Sequence, residues 1–361
     1  MSQKIRLLYM EGVSPLRSQT VYHAVAYAMK ENSPNTIIMV SPKDPYVCIG
    51  YHQDLQKEVD LEYLQTRGLT VLRREVGGGA VYLDNGQLFT QWIFHKRDLP
   101  SSLEERFTLY IDPLIKTYHE LGINAVHRPV NDVLVNGKKI GGTGAAQIGI
   151  AEVVVGSLMY TFDKKTMSKV LKVPSEKMRD KVFESLEAYM TTMTQELGYT
   201  PDRVSVKDLY MRKVEETLGA EVYEGEWTDE EEAMAREVDE RFLSDEWLYQ
   251  KGRLQQLGVK IHQDVHIVES AFKAPGGLIR VIARLREGRI DDVSISGDFT
   301  LFPSFALGAL EQSLRGTRAS AELLKAKIEE AYYRLSIQSP GVTPGDFTTA
   351  IINAVNPAQP A

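Results

Sequence analysis

At 361 residues, 43% hydrophobic and 25% charged, the chain has the composition of a globular protein long enough for two domains, and disorder throughout is excluded. A net charge of -7 without a long Lys/Arg run excludes the basic footprint of a nucleic-acid binder, so no nucleic-acid partner is expected. No stretch approaches the roughly 18 apolar residues of a membrane span. Met1-Ser2-Gln3-Lys4-Ile5-Arg6 leads into a short apolar run without a signal-peptide core, so a cytoplasmic protein with no membrane partner is expected.

Apolar residues at helical spacing predict a helix over 16–31, and Thr36–Val40 and Tyr46–Ile49 read as strands. Cys48, the single cysteine, lies in the second run; it allows neither an internal disulfide nor a cysteine-based zinc site and reads as an inert buried thiol. A short helix near 60–67 and a strand over 70–73 lead into Arg73-Arg74-Glu75-Val76-Gly77-Gly78-Gly79-Ala80-Val81-Tyr82. Three glycines alone more often mark a turn than a binding loop. Directly after a strand ending in two arginines they gain weight, because backbone N–H groups and guanidinium forks both suit carboxylate or phosphate. The glycine fingerprints of Rossmann and P-loop folds are absent.

Strands over 81–83 and 88–94 and a helix over 103–121 precede a hairpin at 133–140, where Asn136-Gly137 signals a two-residue type I′ turn. That turn sets Val135 opposite Lys138, Leu134 opposite Lys139 and Asp132 opposite Gly141. Asp132, Leu134 and Lys139 then share one face, and Val133, Val135 and Ile140 face the core. Lys139, followed by Gly141-Gly142-Thr143-Gly144, is the functional candidate, whereas Lys138 sits at the turn. After a buried strand over 153–160, the chain reads as helical and charged from 164 to 218, and Thr228-Asp229-Glu230-Glu231 is a capping-box helix start.

A domain boundary is placed near 250. Strands over 259–268, 277–286 and 290–296, a turn at Glu287-Gly288-Arg289 and helices over 304–315 and 319–334 make a small second domain, with one docked helix within 347–355. His262 and His266 have metal-ligand spacing for a helix, but their segment reads as strand and no metal is expected there. The domains are thus 1–250, 251–338 and a tail at 339–361, in an α+β fold of short strands.

In order and spacing, Arg73-Arg74-x-x-Gly77-Gly78-Gly79-x-Val81-Tyr82-x-Asp84, Asn131-Asp132-Val133-Leu134-Val135, Lys139-Ile140-Gly141-Gly142, Gly156-Ser157-Leu158-Met159 and Lys273-Ala274-Pro275-Gly276-Gly277-Leu278-Ile279 resemble the lipoate-protein ligase family. The last motif, with Ser296-Gly297-Asp298-Phe299, is similar to that family's accessory C-terminal domain. The resemblance implies a mixed-sheet catalytic domain of biotin/lipoate ligase type with a small α+β accessory domain. The implied reaction is activation of lipoate by ATP to lipoyl-AMP with release of pyrophosphate, then transfer of the lipoyl group to a lysine of an acceptor protein.

For the site, the resemblance implies Lys139 as the catalytic residue, steadying carboxylate and α-phosphate. It implies Arg74, Gly77, Gly78, Gly79, Ala80, Val81, Asn131, Asp132, Gly142, Thr143, Gly156 and Ser157 as binding residues for lipoate or lipoyl-AMP, with Asp132 also a candidate Mg²⁺ ligand. The implied acceptor is a lipoyl domain, a glycine-cleavage H-like protein or a lipoate-binding protein, and the enzyme is expected to be a monomer. Leu83 and Val155 stand where relatives carry histidine, and Leu83 with Gln87-Leu88-Phe89-Thr90-Gln91 points to a divergent branch serving lipoate-binding proteins of sulfur oxidation. The competing readings are an ATP-independent octanoyl or lipoyl transferase, which would need a cysteine downstream of the hairpin to carry a thioester, and a non-catalytic acyl-binding protein on the same fold.

Overall fold

The structure, a computed structural model, describes residues 3–252 and 265–356. Contacts divide the chain into two units: Met1–Cys48, Val59–Arg73 and Val81–Ser244 form the first, and Ile49–Glu58, Arg74–Ala80 and Asp245–Ala361 the second. The fold is mixed α+β, as the motifs imply.

The first unit is built on a six-stranded sheet ordered Gly144–Ile148, Ala151–Met159, Gln87–His95, Asn35–Pro42, Gln3–Val13, Ala220–Glu224. The strand Gln3–Val13 runs parallel to both of its neighbours, and the remaining pairs are antiparallel. Gln87–His95 lies inside the sheet and is buried at every position, which is why its run of bulky residues shows no alternation. Trp92 anchors this strand: its ring stacks on Phe94 and its Nε1 donates to the Tyr210 hydroxyl at 3.0 Å, tying the sheet to the helix Arg203–Leu218. That helix packs on Leu103–Glu120, while Pro15–Ala28 packs on Asp229–Leu243.

The expected helical stretch from 164 resolves into four helices, Lys164–Val170, Glu176–Tyr189, Met193–Leu197 and Arg203–Leu218. Pro174, the left-handed Gly198 and Pro201 interrupt it. The capping box forms as expected, with Glu231 N donating to Thr228 Oγ1 and Thr228 N to Glu231 Oε2. Glu231 also forms a buried ion pair with Arg6 of the first strand. The strand Ala220–Glu224, which the sequence analysis did not assign, is an edge strand with only Ala220 buried, so it lacks the apolar alternation that would announce it.

In the second unit, Gly277–Arg286 is the middle strand of an antiparallel sheet with Val265–Ala274 and Arg289–Gly297. Its odd-numbered residues from Gly277 to Leu285 are buried, the alternation expected of a sheet with one covered face. Glu287 and Gly288 make the turn with φ of 52° and 70°. Ile279, Val281, Ile295 and Phe299 pack with Leu310, Leu324 and Ile328 of the helices Ala306–Leu314 and Ala321–Leu335. The tail contributes a helix, Pro344–Val355, opened by a Thr343–Asp346 capping box and buried through Phe347 and Ile351. His262 lies outside the described residues, and His266 is exposed on the first of the three strands.

One ion pair in the first unit has a testable cost. Arg106 Nη1 lies 2.7 Å from Glu152 Oε2, both side chains only 2% exposed. Burial raises the Glu152 carboxyl above its ordinary range, and Arg106 offsets this only in part. Arg106→Met should therefore destabilise the protein by about 3–5 kcal/mol at neutral pH, because it strands a buried carboxylate, and Arg106→Met/Glu152→Leu should recover most of the loss in urea melts. A carboxyl raised in the folded state binds its proton more readily there than in the unfolded chain. Its contribution thus falls as pH rises from the unfolded value through the raised folded one, so the single variant's deficit should shrink in acid.

Candidate active site

The strands Ala125–Arg128, Asp132–Val135 and Lys138–Gly142 form a small antiparallel sheet, and Asn136 and Gly137 turn the hairpin with φ of 50° and 80°. Both central φ values are positive, as a type I′ turn requires. Val135 pairs with Lys138 and Leu134 with Lys139, as expected, but the register then shifts: Val133 faces Gly141 and Asp132 faces Gly142, not Gly141. Ile140 is the extra residue of the bulge, buried with Val133 and Val135. The expected sharing of faces nevertheless holds. Asp132 and Lys139 lie together, Lys139 Nζ being 2.7 Å from Asp132 Oδ1.

Glycine at 142 makes room for this pair. A Cβ there would lie 2.9 Å from Lys139 Nζ and 3.0 Å from Cε, so the lysine stem lies across the vacant side of Gly142 on its way to the carboxylate. Asp132 is also bridged on its other oxygen, with Arg128 Nη2 at 2.5 Å from Oδ2. The Asp132 side chain is 14% exposed, against 41% for Lys139 and 60% for Arg128. The site is thus a shielded carboxylate between two solvent-reaching cations.

Around it, Asn131 Nδ2 donates to Thr143 O at 2.6 Å, and Thr143 N and Oγ1 donate back to Asn131 O, closing the chain on both sides of the hairpin. Gly144 then pairs with Val155, carrying the segment into the large sheet. A Cβ at Gly156 would meet Gly142 O at 3.3 Å and the Tyr110 hydroxyl at 3.0 Å, so Gly156 lies against the hairpin. Val155, Gly156 and Ser157 are only half-buried in a strand whose other residues are buried, which marks an opening in the sheet beside Lys139's strand. Thr191 N donates to Lys139 O at 3.0 Å and holds the lysine's backbone from the opposite side.

The expected residues Asn131, Asp132, Lys139, Gly142, Thr143, Gly156 and Ser157 thus gather in the first unit. Val81 opens the strand Val81–Leu83 of that unit, opposite Cys48. Arg74, Gly77, Gly78, Gly79 and Ala80 belong to the second unit and are ordered by it. Arg74 Nη2 donates to Gly77 O and Gly79 O, each at 2.9 Å, so this guanidinium folds the glycine loop around itself. Gly78, at φ 92°, needs glycine for its backbone, and Gly50 approaches so closely that a Cβ would lie 1.9 Å from Gly78 O.

Asp132, the expected Mg²⁺ ligand, has both oxygens on cations here, Arg128 at Oδ2 and Lys139 at Oδ1, and among the described residues no group of three His, Cys, Asp or Glu side chains is placed to hold a metal ion. Cys48 is buried at 0% exposure, packed with Tyr46 and Leu72. Arg128 was not singled out from the sequence; its partner is set by cross-strand register, which no local motif announces.

Residues 14–217 match the model of the lipoyl protein ligase A/B catalytic domain. The chain belongs to this family. Lipoate-protein ligase A subunit 1 of Thermoplasma acidophilum is 30% identical over 253 residues, spanning 67% of this chain and 95% of that relative. Octanoyltransferase LipM of Kyrpidia tusciae is 28% identical over 275 residues, spanning 69% of this chain and all of that relative. A crystal structure of lipoate-protein ligase A bound with ATP superimposes with a TM-score of 0.58 at 26% identity, covering 68% of this chain and 98% of that one. The protein is an enzyme of the lipoyl protein ligase A/B family, whose members similar to it include ligases and octanoyltransferases. Among the described residues no helix is long and apolar enough to cross a membrane.

Gly142→Ala tests the placement of the lysine. The added methyl meets the far end of a flexible side chain, so stability should change by no more than about 1 kcal/mol in urea melts. Enzymatic activity should fall about a hundredfold because Lys139 is displaced; unaltered activity would show that the lysine does not need its place over Gly142.

Proposed function

We propose that the protein is an ATP-dependent lipoate-protein ligase that forms lipoyl-AMP and transfers the lipoyl group to a lysine of an acceptor protein. The observation that carries this over the transferase reading is that the chain's only cysteine is fully buried in a strand, while the paired Lys139 suits the activation of an anionic substrate. A thioester route needs an accessible thiolate, and Cys48 offers none. The ligase relative and the ATP-bound ligase structure support the same reading.

In the first step a lipoate carboxylate oxygen attacks the α-phosphorus of ATP, and the bond to the pyrophosphate leaving group breaks. Lys139 Nζ leaves Asp132 to neutralise the carboxylate and the α-phosphate as charge gathers between them. In the second step the acceptor's lysine nitrogen attacks the carbonyl carbon of lipoyl-AMP, AMP departs, and the amine proton is released to solvent. Lys139 then steadies the carbonyl oxygen on which negative charge develops. Asn131 and Thr143 fix the hairpin, Gly142 leaves room for the lysine stem, Gly156 lets Tyr110 and the hairpin approach, and Ser157 lies half-buried in the strand beside it. Arg74 shapes the loop whose amides at Gly77 and Gly79 are assigned to acyl or phosphate oxygens, Gly78 N donating instead to Phe299 O, with Ala80 and Val81 following on. Mg²⁺ enters this reading only as the counter-ion of ATP's phosphates, held by substrate and not by a protein cage.

Incubation with lipoate, ATP and Mg²⁺ should release pyrophosphate and, with an acceptor present, add the lipoyl mass to it. Lys139→Ala should abolish pyrophosphate release while Lys138→Ala and Cys48→Ser leave it within about twofold, since Lys138 is at the exposed turn and Cys48 is sequestered. Octanoyl transfer from acyl carrier protein without ATP, lost in Cys48→Ser, would overturn the ligase reading in favour of the transferase. Acyl binding without either reaction would favour the binding-protein reading. A panel of a lipoyl domain, a glycine-cleavage H-like protein and a lipoate-binding protein of sulfur oxidation would identify the acceptor class, the last being the one to which Leu83 and its neighbours point.

A further inference from the structure

We infer that Arg128 is a positioning residue of this site, holding the Asp132 carboxylate so that Lys139 can exchange it for an anionic group of the substrate. The inference rests on the reading of Lys139 as the residue that binds the substrate's carboxylate. Asp132 occupies the middle strand of the three-stranded sheet, with Arg128 directly opposite on one side and Gly142 on the other. The two cations take different oxygens, Arg128 Nη2 on Oδ2 at 2.5 Å and Lys139 Nζ on Oδ1 at 2.7 Å, so neither displaces the other.

The asymmetry in exposure gives the arrangement its use. Asp132 is shielded, and a shielded carboxylate that loses its only cation pays a desolvation cost that nothing recovers. If Lys139 were that only cation, moving it to a substrate oxygen would strand Asp132, and the aspartate would compete with substrate for the amine. With Arg128 on the second oxygen the carboxylate remains neutralised throughout the exchange. Lys139 is a compact, mobile point charge on a flexible stem, suited to moving; Arg128 is a planar fork, suited to staying. Arg128 is itself solvent-exposed and Asp132 keeps Lys139 when it is removed, so a variant at Arg128 is expected to stay folded.

The test is a double-mutant cycle read in two ways, lipoate affinity by calorimetry and initial pyrophosphate release, using Arg128→Gln, Arg128→Lys, Asp132→Asn and Arg128→Gln/Asp132→Asn in the full chain. Arg128→Gln should weaken lipoate binding and lower kcat/KM by about tenfold, roughly 1.4 kcal/mol. Arg128→Lys should restore most of both, because a cation is all Asp132 requires. In the Asp132→Asn background Arg128→Gln should have no further effect, since no charge is left to neutralise. A tenfold loss of the same size in both backgrounds would overturn the inference, showing that Arg128 touches substrate or acceptor itself. No loss in either would overturn it as well. A wild-type enzyme that binds lipoate but releases no pyrophosphate would defeat the adenylation reading alone, and the affinity cycle would still decide the role of Arg128.

Discussion

Lys139 lies over Gly142, which the bulge in its strand sets opposite Asp132 and which carries no side chain, and its amine reaches the carboxylate there. Ile140, absorbed into the core as the extra residue, keeps the aliphatic face buried while the polar face moves on by one position. The rest of the site is tied to this shift: the Asn131–Thr143 closure, the hold of Thr191 on the lysine backbone, and the entry of Gly144 into the large sheet beside Val155.

Glycine serves the two units in different ways. At Gly142 the vacated space is filled by the end of a flexible side chain, so an added methyl would move a functional group and leave the backbone where it is. In the second unit it is filled by backbone. A Cβ at Gly50 would strike Gly78 O, one at Gly276 would lie 2.3 Å from Pro340 O, and one at Gly77 would lie 3.0 Å from Phe299 O. Substitution at Gly50 or Gly276 has no rotamer through which to relax and acts on the path of the chain itself. The glycine motifs of one sequence thus carry two kinds of constraint, one on where a lysine points and the other on how closely strands and loops can approach.

Much of the first constraint was legible in the sequence because it is local. Asn136-Gly137 dictates its own turn, the alternation of Val133 and Val135 against Asp132 and Leu134 dictates the faces, and together they select Lys139 over Lys138. The bulge was not legible, because the alternation of the hairpin residues reads the same in the regular register and in the shifted one. Pairings set by the folded sheets were hidden too: Arg128 opposite Asp132 only four residues on and, at long range, Arg106 against Glu152 and Ala220–Glu224 beside the first strand. The glycine run was legible as a loop needing close approach. That Arg74 would fold back on the carbonyls of Gly77 and Gly79 was not, because an arginine followed by glycines reads equally as a ligand-binding cation.

The aspartate also bears on selectivity. A lone lysine at the mouth of a sheet would attract any small anion, and in a chain of net charge -7 it would have many carboxylates to choose from. Pairing it with Asp132 imposes a threshold, since an incoming anion must offer Lys139 more than the carboxylate it already holds 2.7 Å away. A chloride or an isolated carboxylate in water offers no more than an exchange of like for like. A carboxylate brought in by an apolar acyl chain, beside a nucleotide phosphate, offers an anion whose binding is already favoured by burial of the chain and whose charge grows as the reaction proceeds. In the proposed ligase, a paired lysine of this kind would favour the reacting complex over its parts, and the strength of the Asp132 pair, moderated by Arg128, would set how strongly it does so.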